Sequence, residues 1–93
     1  MVVGVCQVDL FLPGNGSLKE KRRVLRGLKD RIRERFNVSV AEVDGQDKWQ
    51  RTVLGLACVG TDRPFVNEVL DKILGLIRGT PEVEIIDSRL ELL

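Results

Sequence analysis

The chain has 93 residues, 43% of them hydrophobic, which is enough for one compact domain with one core and too few for two. The net charge of +1 conceals a strong polarity, because Ser17 to Phe36 holds nine of the 15 Lys and Arg residues against Glu20, Asp30 and Glu34 and so carries +6, leaving −5 for the remainder. Histidine and tyrosine are absent, which excludes every Ser-His, Cys-His and His-metal constellation and makes a non-enzymatic domain without metal or cofactor the expectation.

No apolar run approaches the roughly 20 residues needed to span a bilayer, and MVVGVCQVDLFLP has neither a basic leader nor a small-residue cleavage pattern. These features predict a cytoplasmic protein with no membrane association. Cys6 and Cys58 sit in apolar, strand-like runs far apart in sequence, and are predicted to be packed thiols, not a disulfide or metal pair.

Along the chain, residues 2 to 12 alternate loosely and stop at Pro13-Gly14-Asn15-Gly16, which predicts a strand and a tight loop. Ser17 precedes Glu20 by three residues, the spacing of a capping box that opens a helix running to about Phe36. Leu18, Val24, Leu25, Leu28, Ile32 and Phe36 fall on one side of that helix. Residues 37–44 and 50–60 are rich in β-branched side chains and are separated by Gly45 to Trp49, which predicts an antiparallel hairpin. Thr61 or Asp62 is placed to cap a second helix with Pro64 in its first turn, and Gly79 to end it; its apolar face is Val66, Val69, Leu70, Ile73 and Ile77. A last strand is expected from Glu82 to about Leu92.

The order β-α-β-β-α-β predicts a ferredoxin-like α+β fold, with two helices on one face of a four-stranded antiparallel sheet of order 4-1-3-2. Residues 1–93 form one domain in this reading. The open face of the sheet is predicted to carry Val3, Val5, Phe11 and either Val53 or Leu54, an aliphatic surface suited to self-association. It has no counterpart of the aromatic RNP1 pattern. Trp49 in the hairpin loop is a candidate stacking or docking residue, but the expectation is that it folds over its own hairpin.

The first helix carries the main functional signal. Lys19, Arg22, Arg26, Lys29 and Arg33 are spaced 3, 4, 3 and 4, one stripe about 21 Å long at ~1.5 Å per residue. Lys19, Lys21, Arg22 and Arg23 also crowd the helix start, where the macrodipole is already positive. Local stability does not explain cations there, whereas a bound anion does. Lys21 projects toward the apolar side and either lies over the core edge or points at that anion. Gly14, Asn15, Gly16 and Ser17 form a candidate anion-binding loop, although a plain turn before a capped helix accounts for the same residues.

The stretch Gly16-Ser17-Leu18-Lys19-Glu20-Lys21-Arg22-Arg23-Val24-Leu25, with Phe36 to Val43 and Trp49-Gln50-Arg51, resembles the YlxP-like family of small bacterial proteins. The resemblance spans nearly the whole chain and implies a ferredoxin-like domain. It also implies a ribosome-linked or RNA-linked setting, and it transfers no catalytic or binding residue. The expectation is a small RNA-binding or ribosome-associated factor in which Lys19, Arg22, Arg23, Arg26, Lys29 and Arg33 contact phosphates and Lys21 assists at the loop. The alternative is a homodimer that uses the open sheet face as its interface, with the basic helix docking an acidic partner. A small-anion sensor at the Gly14 to Ser17 loop is a third reading.

Overall fold

The Val-rich alternation at the start of the chain forms β1 (Val2–Phe11), the first strand in a computed structural model that describes residues 1–93. It is followed by α1 (Leu18–Arg35), β2 (Ser39–Asp44), β3 (Arg51–Gly60), α2 (Arg63–Arg78) and β4 (Glu84–Leu92). The sheet is antiparallel with order β2-β3-β1-β4, the predicted order read from its other edge. This is the ferredoxin-like arrangement. No helix is long and apolar enough to cross a membrane.

Strand alternation sets the core. Cys6, Val8 and Leu10 of β1 and Leu54, Leu56 and Cys58 of β3 point toward the helices and are buried. They meet Leu28 and Ile32 of α1 and Val66, Leu70, Ile73 and Ile77 of α2, all fully buried. Leu54 is therefore a core residue, and Val53 is the one on the open face. Both cysteines are free and buried. Cys6 stands opposite Leu56, and Cys58 opposite Gly4, so the two thiols are out of register by two residues.

The caps follow the sequence. Ser17 Oγ accepts from the Glu20 N–H at 3.0 Å, and the Glu20 carboxylate accepts from the Gly16 N–H at 3.2 Å. Asp62, not Thr61, caps α2 through the Phe65 N–H at 2.8 Å. The last strand starts at Glu84 and not Glu82, because residues 80–83 form a turn: the Val83 N–H donates to Thr80 O, and the buried Thr80 hydroxyl donates to Leu76 O. Val83 fills the core beneath that turn.

Candidate nucleic-acid interface

Helix periodicity places Lys21, Leu25, Leu28 and Ile32 on the buried side of α1 and the basic stripe on its flank. The stripe faces the β2 edge, since Arg33 donates to Val40 O of β2 at 2.9 Å. Lys19, Arg22, Arg23 and Arg26 are exposed and form no ion pair; Lys29 is half-buried and also unpaired. Arg33 is exposed but engaged, with Asp30 3.8 Å away in addition to Val40 O. Glu34 pairs with no neighbouring cation, so the one ion pair within α1 is that long Asp30–Arg33 contact.

Lys19, Arg22, Arg23 and Arg26 come together with Ser17 and Glu20 around one shallow depression at the N-terminal half of α1. Lys29 and Arg33 lie farther down the helix. Arg23 also borders a second hollow beside Gly14, Asn15, Glu20 and Glu82, where carboxylates temper its charge.

Lys21 takes the inward one of its two expected placements and is not displayed with the other cations. Its side chain is 2% exposed, and its ammonium donates to Gly45 O at 2.5 Å and Lys48 O at 2.7 Å while pairing with Glu42 Oε2 at 2.9 Å. All three donors are consumed inside the protein, leaving none for a bound anion. The same Glu42 oxygen accepts from the Thr52 hydroxyl at 2.5 Å, and Thr52 is itself buried. This buried network ties α1 to the β2–β3 hairpin. The position of Lys21 on the apolar arc was readable from sequence. Its partners, 21 to 27 residues downstream, carried no local signal.

The Gly14 to Ser17 loop is likewise occupied by its own chain. Gly14 holds φ +74°, the left-handed conformation a turn glycine supplies. Asn15 is buried, and its side-chain amide donates to Ser17 O at 3.0 Å and Trp49 O at 2.6 Å. The Asn15 N–H goes to Leu12 O, and the Gly16 N–H to Glu20. The Glu20 carboxylate already supplies a negative group to the Gly16 N–H. The geometry thus supports the turn-and-cap reading of these residues.

Trp49 is not enclosed by its hairpin. It is 56% exposed, although its carbonyl is fixed by Asn15. On the opposite side of the sheet, Ala41, Val43, Gly55, Ala57 and Val5 border an open apolar groove, which is concave because Gly55 and the alanines lack bulk.

Comparison with known proteins places this architecture. The family described as "Protein of unknown function (DUF503)" matches residues 3–90. "Uncharacterized protein YlxP" of Bacillus subtilis (strain 168) is 38% identical over 90 residues, covering 97% of this chain and 98% of that protein. Among solved structures, the de novo designed protein Foldit4 is similar with a TM-score of 0.58 and 15% identity, over 98% of this chain and 97% of that one. LarC2, the C-terminal domain of a cyclometallase involved in synthesis of the NPN cofactor of lactate racemase, is similar with a TM-score of 0.53 and 17% identity, over 100% of this chain and 55% of that one. These two likenesses are of fold alone. By its near-complete match to the family and to YlxP, the chain belongs to the DUF503 family.

Proposed function

We propose that the protein is a non-enzymatic RNA-binding factor, with ribosomal RNA as its first candidate target, and that the N-terminal half of α1 holds the phosphate backbone. The observation that carries this reading is a group of four exposed cations, Lys19, Arg22, Arg23 and Arg26, without ion-pair partners on the N-terminal half of α1, with Lys19 in the first turn where the helix dipole is positive. Like charges at helical spacing cost the helix about 0.2–0.5 kcal/mol per pair, and a polyanion removes that cost. Lys29 and Arg33 extend the track, whereas Lys21 belongs to the scaffold. Phosphate contacts of this kind orient a protein on RNA without reading sequence.

The test is binding to ribosomal subunits and to a structured RNA across a salt series. Neutralising about four phosphates gives a slope of log K against log salt near −2.8 on single strands. Arg22→Glu with Arg26→Glu is expected to abolish the salt-sensitive binding. Unchanged affinity in that double variant would remove the helix from consideration.

A second reading rests on the apolar groove of the open sheet face, flanked by the exposed Val43. A second copy packed there as a homodimer needs at least ~1,000 Å² of buried surface. Sedimentation of wild type against Val43→Asp checks it: a monomeric wild type refutes the dimer, and a dimer dispersed by the substitution supports it.

A further inference from the structure

We infer that Trp49 is a stacking platform for an unpaired base of the nucleic-acid strand whose phosphates lie along α1, an inference that rests on the phosphate-binding reading above. The indole is exposed, yet the backbone that carries it is held on both sides. Before it, Lys48 O accepts from the buried Lys21 ammonium at 2.7 Å. At Trp49 itself, the carbonyl accepts from Asn15 Nδ2 at 2.6 Å. After it, Gln50 O accepts from the Leu12 N–H at 2.9 Å, and the Gln50 side chain donates to Asn15 O at 3.3 Å. Two buried polar side chains, Lys21 and Asn15, are thus committed to holding a loop whose largest apolar group faces solvent. A rigid backbone leaves only two side-chain torsions to be fixed on binding, which favours a stacking role.

The same contacts place the loop beside the cations. Asn15 Nδ2 is 2.6 Å from Trp49 O and 3.0 Å from Ser17 O, which keeps those carbonyls within 5.6 Å of each other at the cap of α1. Lys19 and Arg22 stand within the first two turns from that cap, and Lys48 and Arg51 flank the tryptophan in the chain, with Asp47 the acid nearest in sequence. An aromatic surface next to a positive track is the combination by which single strands are bound with little sequence preference. Duplexes keep their bases stacked and offer the indole nothing.

Trp49 is the only tryptophan, so its emission reports on this site alone. The experiment titrates the full chain with an oligouridylate, an oligodeoxyuridylate of equal length and a duplex. Intrinsic fluorescence and the anisotropy of end-labelled strands are followed in parallel. Stacking predicts quenching that tracks anisotropy for the single strands and is absent for the duplex, with the tighter of the two oligomers identifying the preferred sugar. Trp49→Ala is expected to weaken single-strand binding roughly 5- to 150-fold without altering the salt slope or duplex affinity, while Trp49→Phe retains most of the affinity. Single-strand binding with unchanged emission and unchanged affinity in Trp49→Ala would overturn the inference and leave the basic helix standing. Absence of all binding at low salt would overturn the phosphate-binding reading and the inference together.

Discussion

Replacing Lys21 by Met tests whether the hairpin and α1 are coupled through a buried charge. The substitution preserves most of the apolar stem and removes the ammonium, stranding Glu42 and the carbonyls of Gly45 and Lys48. Lys48 is exposed and Gly45 half-buried, so water can reach both carbonyls and their loss costs little. The Glu42 side chain is 19% exposed and keeps only the Thr52 hydroxyl as donor. Breaking a buried pair by removing one partner costs about 3–5 kcal/mol, and partial solvation of Glu42 puts this case at the low end, ~3 kcal/mol. For a domain of this size that is a fall in Tm on the order of 12–24 °C. Thermal unfolding followed by circular dichroism measures it. Adding Glu42→Gln removes the stranded charge, so the double variant should be more stable than Lys21→Met alone by about 1–2 kcal/mol. A loss under ~1 kcal/mol in the single variant, or strict additivity in the double, would refute the argument that the ion pair joins these elements.

Four further outcomes are expected. A Cβ at Gly4 runs into Val66 Cγ1 and lies 2.9 Å from Leu70 Cδ1, so Gly4→Ala should destabilise by about 1–3 kcal/mol through forced repacking of α2 on β1, measurable by urea unfolding. Ser17→Ala removes the hydroxyl that accepts from Glu20 and should cost ~1 kcal/mol, detectable as faster amide exchange in the first turn of α1. Burial raises the thiol pKa of Cys6, with Asp71 adding to the rise, and burial alone raises that of Cys58. Folding thus favours the protonated thiols, and their contribution is complete below the unfolded value of about 8.5. Stability should fall as pH climbs from there through the raised folded values, and a Cys6→Ala, Cys58→Ala variant should show a shallower alkaline decline in urea midpoints. In the native wild type at neutral pH, both thiols should react with a disulfide reagent only slowly.

The fold and its caps were legible in the sequence because they depend on short-range chemistry. The Ser17 to Glu20 spacing, the turn at Pro13 to Gly16 and the two helical periodicities act over three or four residues, and strand parity needs only the identities of alternate side chains. The right-handed crossover rule then ordered the strands. The exposed stripe from Lys19 to Arg33 followed from the same helical arithmetic.

What the tertiary structure alone decided is which polar groups meet across the chain. Lys21 was placed on the apolar arc by its position, but its burial depends on Glu42 and two hairpin carbonyls converging there, and Asn15 became a clamp only because Trp49 returns to the start of α1. The bulge in the β2–β3 pairing between Glu42 and Asp44 and the turn that delays β4 to Glu84 are also products of assembly. A buried charge or amide is tolerable only when its partners arrive together, and partners supplied by distant segments leave no mark on local sequence. Local chemistry therefore specified the elements and the cationic face, while long-range satisfaction of buried polar groups decided which of those cations remained free.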